Sequence, residues 1–142
     1  MHRYTLRTKA LREASRMLSK AALSIITDCI ADRDLVYNFS LILSEACANV
    51  VRHAYIGLEP GDIEIVIAMG TGEFVELEIN DTGRGFPDGP VHVANALPEA
   101  EGGRGLYIMS ELADEFDIRR RGDTTVVRLK KHIEKHLWKP LE

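Results

Sequence analysis

Glu45 and Asn49 stand four apart in Leu43-Ser44-Glu45-Ala46-Cys47-Ala48-Asn49-Val50-Val51-Arg52-His53. On a helix that spacing puts them on one face, about 40° apart. A carboxylate and an amide carbonyl then face the same point from the shoulder of an apolar stripe. A solvated helix edge is the ordinary explanation. Asn in mid-helix argues against it, because its side chain competes for backbone hydrogen bonds. A second cluster is Ile79-Asn80-Asp81-Thr82-Gly83-Arg84-Gly85-Phe86. A strand ends there at a carboxylate, and the glycines after it let backbone approach a planar or charged ligand closely. An ordinary turn explains it too. Aspartic protease chemistry needs two such carboxylates sharing a proton, and the chain has a single Asp-Thr-Gly. A homodimer supplying the second would leave Glu45 and Asn49 without a role. The third cluster is Glu101-Gly102-Gly103-Arg104-Gly105-Leu106-Tyr107-Ile108-Met109. Glycines lead into a helix whose free N–H groups favour phosphate, and Arg104 adds a fork of donors. No Lys-Ser or Lys-Thr follows, so it is not a Walker loop. No early strand feeds it, so it is not a dinucleotide fingerprint.

The elements that must hold these clusters follow from hydrophobic spacing. Tyr4 to Thr8 suits a short strand. Leu11, Ala14, Leu18, Ala21, Leu23, Ile25, Ile26 and Ile30 carry helical spacing. Asp28, Asp32, Arg33 and Asp34 break it, and a second helix is expected from about Asp34 to Ile56, stopped by Gly57. Alternation then takes over at Ile63, Ile65 and Ile67, and again at Val75, Leu77 and Ile79, with a hairpin turn over 69–73. A loop is expected from Asp81 to Gly102, then a third helix to about Ala113, then a hairpin across Gly122-Asp123. The expected class is α+β: a two-layer sandwich of two or three helices on one face of a mixed, mostly antiparallel sheet of four or five strands. Residues 1–131 are expected to form a single domain. Residues 132–142 read as a basic tail that frays, ending in Leu141-Glu142 as an appended pair.

Composition bounds the class. The 142 residues, 45% hydrophobic and 28% charged, suit one globular domain and exclude wholesale disorder. The formal charge of -4 is a poor start for binding nucleic acid. No stretch is long and apolar enough for a membrane span, and the N-terminus lacks a signal peptide's apolar segment. A cytoplasmic location and no membrane partner are expected. Cys29 and Cys47 read as buried small hydrophobes, and the histidines form no metal cluster. All 11 glycines fall between Gly57 and Gly122.

In this order the three clusters resemble the histidine-kinase-type ATPase fold. The wording Ser44-Glu45-Ala46-x-x-Asn49-x-x-x-His53 is most similar to that of the bacterial anti-sigma-factor serine kinases. The resemblance covers roughly residues 5 to 130. It implies ATP and Mg²⁺ as cofactors. Asn49 would give its side-chain oxygen to Mg²⁺, and Glu45 would act as general base on the attacking hydroxyl. Asp81 would accept from the adenine amino group, with Gly83 shaping the turn and Gly85 leaving room beside the ring. Gly103, Arg104 and Gly105 would sit at the phosphates, with Arg104 in the catalytic set. Leu106 and Phe86 would complete the nucleotide contacts, and Phe86 to Gly102 would form a lid. His53 is placed as a structural or phosphate-near residue. The family's Gly-Thr before a strand is here Gly122-Asp123-Thr124-Thr125, and Thr125 is taken as the adenine-side hydroxyl, with Thr124 as the other candidate.

The chemistry agrees with that assignment. Phosphoryl transfer needs charge neutralisation and alignment, and Mg²⁺ often takes one or two protein oxygens besides phosphates and waters. Glu45, one turn away, suits activation of a hydroxyl. The resemblance further implies transfer to Ser or Thr of a small STAS-type anti-anti-sigma protein, binding to a sigma factor, and a homodimer. A regulator that binds nucleotide and holds a protein partner without phosphorylating it is the competing expectation. A sensor histidine kinase would need helices carrying a phosphoacceptor His, for which little chain precedes Leu11. Arg119-Arg120-Arg121 reads as a solvated hairpin or a meeting point for an acidic partner. Arg12, Arg16 and Lys20 are candidates for a sigma or dimer face.

Overall fold

The computed structural model describes residues 1–85 and 103–140. Strand β1 (His2–Lys9) leads into helix α1 (Arg12–Cys29) and helix α2 (Arg33–Asn49). A π-helical turn, Val50–Ala54, extends α2. Strands β2 (Asp62–Gly70) and β3 (Phe74–Asp81) follow, then helix α3 (Gly103–Leu112) and strands β4 (Glu115–Arg121) and β5 (Thr124–His132). The sheet runs β1-β2-β3-β5-β4. Every pairing is antiparallel, so the mixed component expected from sequence is absent among the described strands.

Period-two alternation decides which face is core. Ile63, Ile65, Ile67 and Met69 of β2 and Val75, Leu77 and Ile79 of β3 are buried toward the helices. From α1 they meet Leu18, Ala22 and Ile26, and from α2 Phe39, Ile42, Leu43 and Ala46. Helix α2 lies between α1 and α3. The Asp32 carboxylate starts it by accepting the Leu35 N–H at 3.0 Å. The opposite sheet face carries charge. Arg7 pairs with Glu64 at 2.6 Å, and Arg128 meets Glu76 and Asp117 at 3.1 Å each.

Chain order and spatial order part company after β3. The chain leaves at Asp81, returns through α3 to edge strand β4, and fills the gap with β5. The register then sets Asp81 opposite Thr125, and Thr125 opposite Arg120. Three residues from three strands stand in one row at the end of β3.

The C-terminal segment does not fray. Ile133 and Trp138 are buried. The indole N–H of Trp138 donates to the Ile133 carbonyl at 3.1 Å. The Lys139 N–H reaches the Cys29 carbonyl, and the Ala31 N–H the Leu137 carbonyl, each at 2.8 Å. Charge in the segment suggested a solvated tail. The apolar Ile133, Leu137 and Trp138 outweigh it by closing the core beside the end of α1. Leu141 and Glu142 lie outside the described residues.

Candidate functional site

Helix α2 buries Leu43, Ala46 and Cys47, which leaves Glu45 and Asn49 half-buried on the shoulder. That shoulder faces α3. A Cβ on Gly105 would lie 2.8 Å from Glu45 Oε2 and 3.1 Å from the Asn49 amide nitrogen. Only a residue without a side chain lets the first turn of α3 come this close. The structure therefore brings together Glu45, Asn49 and Gly105. The Asn49 amide oxygen and nitrogen exchange places by a flip. No group of three or more His, Cys, Asp or Glu among the described residues could hold a metal alone. The donor set fits a Mg²⁺ ion held by one amide oxygen together with phosphate oxygens and water.

The regular helix ends at Asn49, earlier than the expected Ile56. Val50–Ala54 widen into a π turn, a local departure often found at functional positions. His53 lies in it, and its Nε2 is buried with no hydrogen-bond partner among the described residues. A buried unpaired imidazole nitrogen is costly and fits a site completed by a ligand oxygen. The end of the π turn is also the seat of the second cluster. The Ala54 carbonyl accepts the Arg84 N–H at 2.7 Å, and a Cβ on Gly83 would collide with that carbonyl at 2.1 Å. The Tyr55 hydroxyl donates to the Asp62 carbonyl at 2.6 Å and accepts the Thr82 N–H at 3.0 Å. α2 and the β3 turn are thus fastened as one unit.

Asp81 is 7% exposed and Thr125 3%. Asp81 Oδ1 accepts the Gly83 N–H at 2.9 Å, and the second oxygen has no hydrogen-bond partner among the described residues. Burial pushes the Asp81 carboxyl up, while the Gly83 N–H and the nearby Arg120 guanidinium pull it partly back. Arg120 Nη1 donates to Thr125 Oγ1 at 2.6 Å, and Nη2 to the Gly83 carbonyl at 3.2 Å. Gly85 has φ +75°, and a Cβ there would lie 2.7 Å from Arg120 Nη1. Asp81, Gly83, Gly85 and Thr125 therefore lie close together at the end of β3. Thr124 sits exposed-side on β5 instead, with its hydroxyl on Asp123 at 3.3 Å.

Gly103 and Arg104 open α3, so the N–H groups of its first turn, which have no partner within the helix, point out of the end beside Glu45. Leu106 is buried beneath that turn. The Arg104 side chain, Phe86 and the lid expected over 86–102 lie outside the described residues. Arg120 was not expected here. Alternation along β4 could have found it: Arg119 pairs with Asp117 on the open face at 2.8 Å, which puts the exposed Arg120 on the other face, at the end of β3. Tyr55 also went unread, because its role depends on a turn distant in sequence. A basic cleft of about 480 Å³ runs between α1 and α2, lined by Arg12, Arg16, Lys20 and Arg52 with Ser15 and Ser44.

Comparison with known proteins agrees with this geometry. The serine-protein kinase RsbW of Bacillus pumilus (strain SAFR-032) is 33% identical over 104 residues, 67% of this chain and 64% of that protein. The anti-sigma F factor of Heyndrickxia coagulans is 30% identical over 99 residues, 65% of this chain and 66% of that protein. The chain thus spans just under two thirds of the length of these relatives. The structure of the RsbU and RsbW domains of Rv1364c from Mycobacterium tuberculosis superposes with a TM-score of 0.64 at 19% identity, covering 100% of this chain and 34% of that one, a likeness of fold. Residues 5–131 match the Histidine kinase-like ATPase domain, and the chain belongs to that family.

Proposed function

We propose that the protein is an ATP- and Mg²⁺-dependent protein serine/threonine kinase that acts as an anti-sigma factor or related partner-switching regulator. The observation that carries this reading is the meeting of Glu45, Asn49 and the N-terminus of α3 at Gly105. A base, a metal-binding oxygen and a phosphate-binding helix end are the parts phosphoryl transfer uses. Asn49 holds Mg²⁺, and the α3 N–H groups with Gly103, Arg104, Gly105 and Leu106 hold the phosphates. His53, with its Nε2 unpartnered among the described residues, would take a phosphate oxygen. Asp81 takes the adenine amino group, Thr125 the neighbouring ring nitrogen, and Gly83, Gly85 and Phe86 bound the base. Glu45 removes the proton of a Ser or Thr hydroxyl as it attacks. The bond to the γ-phosphoryl group forms as that to the ADP oxygen breaks.

The acceptor in this reading is a STAS-type protein, and a sigma factor or similar regulator is the partner held when the acceptor is phosphorylated. The relatives named serine-protein kinase and anti-sigma F factor support this. The cleft lined by Arg12, Arg16, Lys20 and Arg52 borders Ser44, next to Glu45, where an arriving protein would lie. A homodimer in the cytoplasm completes the proposal. The test is transfer of labelled γ-phosphate to candidate STAS proteins. Label on Ser or Thr supports the kinase. Tight ATP binding by calorimetry without transfer to any acceptor selects the nucleotide-binding regulator instead. No ATP binding at saturating Mg²⁺ overturns both.

A further inference from the structure

We propose that Arg120 biases the hydrogen-bond polarity of the base recess, so that it selects a 6-aminopurine over a 6-oxopurine. This rests on the nucleotide reading above. A threonine hydroxyl has one proton and two lone pairs. Arg120 Nη1, at 2.6 Å, fills one lone pair of Thr125 Oγ1. A guanidinium only donates, so the contact cannot reverse. The proton and the second lone pair of Thr125 take no partner among the described residues, and the positive guanidinium beside the oxygen disfavours a further N–H donor there, so the hydroxyl is biased to donate to a ligand. Asp81, opposite Thr125 in the sheet, is the matching acceptor.

The recess thus presents an acceptor beside a donor. A 6-aminopurine edge offers the complement: an amino donor at position 6 beside an unprotonated N1. A 6-oxopurine reverses both groups, setting a carbonyl oxygen against the Asp81 carboxylate and an N–H against the Thr125 proton. Without Arg120 the positive charge that disfavours a ligand N–H at the Thr125 oxygen is gone, and the recess loses half of its discrimination. The second bond, from Nη2 to the Gly83 carbonyl at 3.2 Å, ties the guanidinium to the turn that carries Asp81. Gly85 leaves the room in which the guanidinium sits.

ATP and ITP differ at this edge alone, so their affinity ratio reads the polarity. Calorimetry with each Mg²⁺-nucleotide on wild type, Arg120→Met, Arg120→Lys and Thr125→Val tests the assignment. The wild type is expected to favour ATP by about a hundredfold or more, and Arg120→Met to lower that ratio about tenfold. Arg120→Lys, which keeps a donor, should recover part of the ratio. In the Thr125→Val background, Arg120→Met should no longer change it. A ratio unchanged by Arg120→Met in a wild type that discriminates overturns the role of Arg120. A wild type that binds ATP and ITP equally also overturns it. A wild type that binds neither nucleotide overturns the nucleotide reading itself.

Discussion

At the residue scale, the proposed function gives Glu45 the chemistry and Asp81 the binding. Glu45→Gln keeps the shape beside Gly105 and removes the base. Phosphotransfer should fall at least about a hundredfold, while ATP affinity by calorimetry changes little. Wild-type transfer from the variant would remove Glu45 as base. Asp81 carries a cost in stability that the proposed adenine contact would account for. Its carboxyl is pushed up by burial, so the folded state binds its proton more tightly than the unfolded chain does. That contribution to stability is complete below the ordinary value of 3.8 and is lost as pH rises through the raised value. At neutral pH the ionised group therefore works against folding. Asp81→Asn, whose amide oxygen can still accept the Gly83 N–H, should melt at the same temperature or higher without ligand. It should bind ATP about tenfold or more weakly, because an adenine donor loses its charged acceptor. A lower melting temperature of the free variant would contradict this balance. Cys47 needs no such trade. Its thiol, pushed up to about 12 by burial, should resist alkylation at pH 8 in the folded protein.

At the element scale, the site is a meeting of ends: α2 with its π turn, α3, and the end of β3. Gly105→Ala tests the α2–α3 approach. Its Cβ would press on Glu45 and Asn49, so phosphotransfer should fall by about tenfold or more even where the fold survives. A single-turnover assay with melting data separates the two effects. Gly83→Ala should be worse, because its Cβ meets the Ala54 backbone rather than a movable side chain. A loss of about 2 kcal/mol or more in urea unfolding is expected. The sequence shows why these glycines matter only in part. Glu45 and Asn49 were readable from i,i+4 spacing, and Asp81 from the end of an alternating run. The π turn was not, since Val50 to Ala54 continue an apolar helical pattern and nothing local signals the widening. Arg120 was readable in principle from β4 alternation, but a run of three arginines resembles a solvated hairpin until its register with β5 is known.

At the scale of the whole molecule, the sheet order was the least legible feature. Alternation identifies strands, but the placement of β5 between β3 and β4 depends on contacts distant in sequence. The same holds at the C-terminus, where Lys130, Lys131 and Lys135 masked an anchor. Trp138→Ala removes a buried indole and its bond to Ile133, and should cost about 3 kcal/mol in urea unfolding. Affinity for ATP should change little, because Trp138 pairs with Ile30, in the linker from α1 to α2, rather than with the recess. A large loss of affinity in folded protein would show that the anchor and the site are coupled.

The row formed by Asp81, Thr125 and Arg120 also has a consequence for how the chain is made. Its members come from β3, β4 and β5, so the base recess cannot exist until the segment between β3 and β5 has looped back and the last strand has been inserted. Closing so long a loop is paid for only when the distant pairing forms. During synthesis, β1, the first two helices and the β2–β3 hairpin emerge first, carrying Glu45 and Asn49 but no place for a purine. In the proposed reading, nucleotide would bind only the completed chain and stabilise it by mass action. Cellular ATP would draw the population toward finished molecules and leave fragments truncated before Thr125 without that support.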